Sequence, residues 1–189
     1  MNWFRKKRPT DALAILQGAE WKCAGCDNVH QGMFDIAAFA PDPWPGPERY
    51  ESNSALRLDG DFLSEDFCVL GGRHFLVRCV LEIPVTGLDR SFGLGCWGTL
   101  SKENFDLYVS RFDDADYAGL GPWTSWLCND LMQLVGSEPI GCHMFPQLDR
   151  QRPVLRVHDD EHPIALMQDQ GIAPEDVLGI YAMYGHPVS

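Results

Sequence analysis

Residues 21–30 read WKCAGCDNVH, which sets Cys23 and Cys26 three apart around Gly25 and places His30 four residues further on. A Cys-x-x-Cys turn suits tetrahedral zinc because it aims two sulfurs at one point, about 2.3 Å from the metal, while backbone N–H groups stabilise their charge. Two cysteines are half a site, and no second Cys-x-x-Cys or His-x3-His follows at a suitable distance. The missing ligands must then be isolated residues, and the best placed are His30 and Cys68, which opens a β-rich stretch. Cys23, Cys26, His30 and Cys68 together make a closed Cys3His structural site. Two other readings stand beside it. One is a metal-free turn with buried thiols, since free cysteine is among the most buried residue types. The other is a redox pair, although no convincing helix begins after Cys26 to lower a thiol pKa. A catalytic zinc needs an open coordination position and a nearby general base, and the sequence names neither.

Other groups carry weaker signals. HDDEH, residues 158–162, matches the inverted zinc-protease string H-x-x-E-H, which requires His158 and His162 on one helical face and Glu161 as base. Pro163 pushes His162 out of the helical region, so a polar strand-to-helix turn with His162 near the cap is expected instead. The acid pairs Asp59/Asp61, Glu65/Asp66 and Asp113/Asp114 read as a solvated face in a chain with 27 acidic residues. Trp97, Trp123 and Trp126 read as packing residues before they read as a ligand groove. No G-x-S-x-G or G-x-x-x-x-G-K-[ST] occurs, so no catalytic residue can be named from a local motif.

The elements that must position these residues follow from pattern. With 189 residues, 45% of them hydrophobic, the chain can bury one sizeable core. One domain is expected over 1–189, with a basic tip and helix at 1–20, a core at 21–172 and a C-terminal helix at 173–189. Thr10 caps a short helix carrying Leu13 and Leu16 and ended by Gly18. APDPWPGPERY reads as an extended surface loop. FCVL and HFLVRCVLEIPV flank the turn residues GGR as a hairpin. FGLGCWGTLS is a further strand, running into a helix capped by Ser101 with Phe105, Tyr108, Val109 and Phe112 on one face. GPWTSWLC, PIGCHMF and RPVLRVH are three more strands, and Pro163 and Pro174 open two closing helices separated by Gly171. The class expected is α+β, a central mostly antiparallel sheet with flanking helices and an N-terminal zinc-knuckle-like turn.

The formal net charge is −12, and four of the 15 basic residues sit at residues 5–8, which leaves 11 against 27 acids elsewhere. Such a body repels phosphate backbones and anionic membranes. Seven cysteines, an odd number, exclude a complete set of disulfides, and no apolar run approaches a membrane span or a secretory h-region. A cytoplasmic protein is expected.

WKCAGCDNVH, LSEDFCVLGGRHFLVRCVLEIPV, FGLGCWGTLSKENF, AGL before WLCNDL, and RPVLRVHDDEHPIALMQDQGI resemble, in this order, the uncharacterised bacterial family catalogued as domain of unknown function 2199. The resemblance implies a shared fold and brings no activity, substrate or cofactor with it. Its pattern similarly has cysteine at 23, 26 and 68 and histidine at 30, which favours the metal reading. Asp27 stands where members have glycine; aspartate tolerates left-handed backbone, but sets an anion beside the thiolates. Residues 132–147 also depart from the family pattern. The expectation for function is a non-catalytic binding module with structural zinc, acting on a protein partner or a small molecule and on neither nucleic acid nor membrane. The alternative is a metal- or cysteine-dependent enzyme acting on a small molecule.

Overall fold

The computed structural model describes residues 11–136 and 138–189. The basic run at residues 5–8 and Thr10, the expected first cap, lie outside them. Helix α1 (Ala12–Gln17) is capped by Asp11, whose side chain accepts the Ala14 N–H at 3.1 Å. β1 (Glu20–Lys22) and β2 (Val29–Gln31) form a separate hairpin across the cysteine turn, with Trp21 opposite His30. β3 (Ile36–Ala37) precedes the proline-rich loop, and β4 (Phe62–Leu63) follows it. β5 (Phe67–Leu70) and β6 (His74–Pro84) make the expected hairpin around Gly71 and Gly72, both with positive φ. β7 (Ser91–Leu100) runs into α2 (Lys102–Ser110), where Ser101 Oγ accepts the Asn104 N–H at 3.2 Å. β8 (Trp123–Leu127), β9 (Ile140–Phe145) and β10 (Val154–Val157) complete the strands. Helices α3 (Pro163–Gln170) and α4 (Pro174–Met183) each open on a proline, whose missing N–H would have had no partner there.

The strands from β6 to β10 follow one another around a ring, each antiparallel to the one before. The first and fifth members of such a meander run the same way, so where they meet they pair in parallel, as Val154 does with Val80. The class is α+β, but the expected antiparallel sheet is corrected: it closes into a five-stranded barrel. Outside the ring, β3 adds in parallel to β7, and β5 with β4 adds antiparallel to β6.

Strand periodicity separates two cores. Val77, Cys79 and Leu81 of β6, Leu94 and Cys96 of β7, Leu127, Met144 and Leu155 all fall in the larger cluster at 1% exposure or less. The opposite face of β6 and β7 presents Leu76 and Trp97, which pack with Leu63 and Cys68 into a smaller cluster. The proline-rich loop, expected as surface, lays Phe39, Trp44 and Tyr50 over that cluster. Asn129 Nδ2 holds the loop by donating to Ala40 O and Asp42 Oδ1, both at 2.9 Å.

Gly98 lies on the inner face of β7, where an added Cβ would sit 2.8 Å from Ser125 Oγ and 2.9 Å from Met144 Cε. Gly98→Ala should therefore overpack the barrel and lower stability by about 1–3 kcal/mol. Urea unfolding of the two proteins measures the difference, and an unchanged midpoint would contradict this packing.

Candidate metal centre

The knuckle is built by local backbone geometry. Cys23 N–H donates to Asn28 O at 2.9 Å across the turn. The Gly25 and Cys26 N–H groups point back at Cys23 Sγ, at 3.3 and 3.4 Å. Asp27 takes a left-handed backbone with φ 58°, a conformation aspartate accepts with less strain than most side chains. The hairpin then returns His30 beside the turn, with its Nε2 3.3 Å from Cys26 Sγ.

The fourth group close enough to share a metal comes from a segment remote in sequence. After α4 the chain turns at Gly185 (φ 86°) and runs along the knuckle. Ala24 N–H donates to Pro187 O at 2.9 Å, Ser189 N–H donates to Lys22 O at 3.1 Å, and Cys23 bridges to Val188. This places His186 Nδ1 3.7 Å from Cys23 Sγ. The ligand atoms of Cys23, Cys26, His30 and His186 all lie within 4.8 Å of one another. Zinc bonds of about 2.0 Å to nitrogen and 2.3 Å to sulfur give a tetrahedron with edges of roughly 3.3–3.8 Å, which fits the two sulfur–nitrogen distances.

An aromatic block holds the histidines. His30 packs against both Trp21, tilted at 4.7 Å between ring centroids, and Phe34, stacked at 4.8 Å, and His186 stands edge-on to Phe34 at 5.5 Å. Phe34 lies flat on Tyr181 of α4 at 4.4 Å. The Tyr181 hydroxyl accepts from Phe34 N–H and donates to Phe34 O, both at 2.8 Å. Burial pushes that phenol up to about 12, so it stays protonated and can make both bonds.

Electrostatics single out the Cys23 thiol. At Cys23 burial opposes the thiolate, but the Cys26 and Gly25 N–H groups and the His186 and Cys26 side chains outweigh it and bring the thiol down to about 6. Burial pushes Cys142 up to about 12 and Cys79 well above its ordinary range. All seven cysteines are free thiols.

Of the residues expected to share the centre, Cys23, Cys26 and His30 come together and Cys68 does not. Cys68 sits in β5 opposite Leu63 and Leu76, beneath the proline-rich loop. There burial, then the Asp61 charge, pushes its thiol up to about 12. His186, the residue missed, follows a helix-ending glycine and precedes a proline, which is the pattern of a turn and not of a ligand motif. His162 caps α3 by accepting the Ile164 N–H at Nδ1, 3.2 Å away, and lies in extended backbone. HDDEH therefore forms no helical protease site. Trp97 and Trp123 are buried, and Trp126 is 51% exposed.

The family described as an uncharacterized protein conserved in bacteria, DUF2199, matches residues 22–172. No curated protein and no solved structure matches the chain. His186 thus lies beyond the stretch that the family covers.

Two outcomes check the centre. A Cβ at Gly25 would fall 1.9 Å from Gly185 O, so Gly25→Ala should displace the tail and weaken the retention of a metal loaded into the centre at least about tenfold in a chelator competition. The second is a pH effect in metal-free protein. A thiol with a folded pKa below its unfolded value of 9.0 stabilises fully only above 9.0, and loses that contribution as pH falls through about 6. The melting-temperature advantage of wild type over Cys23→Ser should therefore shrink from pH 9 to 6; a constant difference would contradict it.

Proposed function

The chain belongs to the DUF2199 family, and we propose that it is a non-catalytic binding module whose two ends are tied together by a structural zinc ion. The observation that carries this reading is the convergence of two cysteines and two histidines, all from one chain, on one point. Four protein ligands complete tetrahedral zinc and leave no position for water or substrate, which is the arrangement of structural centres. The ligands also join segments remote in sequence, so an ion there holds the C-terminal tail against the N-terminal hairpin.

Enzyme chemistry draws less support. A cleft of about 450 Å3 beside Trp126 does carry His74 and Cys128. Burial, then the Asp42 charge, pushes the Cys128 thiol up to about 11, and its Sγ is spent on Trp126 O at 3.5 Å. Such a thiol is a poor nucleophile at neutral pH. The acidic balance of the chain, −12, favours a protein or small-molecule partner over nucleic acid or an anionic membrane. No helix among the described residues is long and apolar enough to cross a membrane.

Elemental mass spectrometry on protein purified without chelator or metal resin tests the reading. About one zinc per chain is expected, lost in Cys23→Ser/Cys26→Ser, weakened in His186→Ala and retained in Cys68→Ser. Cobalt substitution tests closure: the visible spectrum of a closed site is unmoved by added azide, whereas an open site shifts. Metal-free wild type, or metal lost through Cys68→Ser alone, would overturn the centre.

A further inference from the structure

Strand β6 changes partner halfway along one edge. Val77 pairs with Phe67 of β5, and Val80 with Val154 of β10. Arg78 N–H donates to Asp66 O and Val80 N–H to Pro153 O, both at 2.9 Å. The segments entering β5 and β10 thus leave β6 at neighbouring points and diverge. Between them lies a cleft of about 360 Å3, with Asp66 on one bank and Arg150 to Arg152 on the other.

Its third wall is aromatic. Tyr108 and Phe112 come from α2 and the turn after it, and Tyr117 stacks on Tyr108 with centroids 4.7 Å apart and planes 9° from parallel. Both tyrosines are buried, and burial pushes their phenols up, Tyr117 to about 12, so this wall is neutral.

The mouth carries both signs of charge. Arg152 spans the banks, 3.0 Å from Glu65 and 3.7 Å from Asp66. Arg150 donates from Nη2 to the Asp113 carbonyl oxygen at 3.1 Å, and among the described residues it pairs with no carboxylate. Asp113 also lines the cleft, and its carboxylate forms no ion pair among the described residues. Arg150 is held over the mouth by two successive left-handed residues, Asp149 (φ 56°) and Arg150 itself (φ 60°). Such backbone costs of order 1–3 kcal/mol per residue and concentrates at ligand sites.

We propose that this cleft binds a small zwitterion with an apolar or aromatic group, an α-amino acid in the simplest form. Its carboxylate meets the Arg150 guanidinium in a bidentate pair, its ammonium meets Asp113, and its side chain lies on Tyr108, Phe112 and Tyr117. The Arg150 guanidinium rests on the Asp113 main chain, which puts both charged residues at the same mouth. A plain anion would leave Asp113 without a partner, and a plain cation would leave Arg150 without one. The cavity has the size of small-molecule sites, about 300–1,000 Å3.

The proposal gives a ligand to the binding-module reading but shares no residue with the metal centre. A titration on the whole 189-residue chain and a metal assay on the same sample therefore fail separately. Isothermal titration would use L-leucine, L-phenylalanine, L-tyrosine and L-tryptophan, with 3-phenylpropionate and phenethylamine as single-charge analogues. At least one amino acid should bind with Kd below about 1 mM, and the analogue lacking either charge should bind at least about tenfold more weakly. Arg150→Ala and Asp113→Asn, both at exposed positions, should each weaken binding at least about tenfold with melting temperature unchanged. No saturable binding up to roughly 10 mM by any of the four, equal binding of a single-charge analogue, or indifference to Arg150→Ala would overturn the proposal.

Discussion

The divided edge of β6 is the constraint on which the rest of the molecule depends. One edge of this 11-residue strand pairs with β7 along nearly its whole length; the other is shared between β5 and β10. A strand that gave its free edge to one partner would build an open sheet. By yielding at Val80 to β10 it closes the barrel, and its last residue then takes up the chain beyond α3, with Ile172 N–H donating to Pro84 O at 2.9 Å. The same division leaves the crevice between Asp66 and Arg152, so barrel closure and the aromatic cleft have one cause.

The outer face of β6 carries an unusual residue for its position. Arg78 is 9% exposed, has no carboxylate partner among the described residues, and would be costly to bury unpaired. Its charge is met by neutral groups: Nη1 donates to the Tyr50 hydroxyl at 2.6 Å and Nη2 to Ala38 O at 3.1 Å, while the guanidinium lies 5.8 Å from the Tyr50 ring and 5.9 Å from Trp97. Ring faces and carbonyl dipoles stabilise a cation without adding a second charge to desolvate. Tyr50 and Ala38 both belong to the segment covering β6, so the arginine locks that cover to the sheet.

What the sequence disclosed follows the range of the interactions. Ser101, Pro163, Pro174 and the Gly71–Gly72 turn act within a few residues, and each marks the boundary expected of it. Cys23, Cys26 and His30 fall within one hairpin, so their convergence was readable from spacing. Asp11 replaced Thr10 as the first cap, a shift of one residue between two good capping types. Closure between Val80 and Val154 joins segments with no shared local signal, and each strand reads the same whether the sheet is open or closed. Cys68 stands apart from the knuckle and His186 beside it for a related reason. Cysteine is the more conspicuous partner for a Cys-x-x-Cys turn, but alternation in β5 turns Cys68 into the smaller core, and only tertiary contact brings the tail to the knuckle.

That difference in range gives the four residues of the proposed centre unequal roles. Cys23, Cys26 and His30 need only the turn and two short strands, so a metal can meet three ligands before the barrel forms. His186 arrives only when α4 has docked, an event fixed by the paired Tyr181–Phe34 hydrogen bonds and by the tail running from Ala24 to Lys22. In the proposed centre, binding energy at the fourth position would therefore be folding energy of the segment after α4. A metal held by all four stabilises the docked tail and gains little from the undocked one, so occupancy and tail order are linked in both directions.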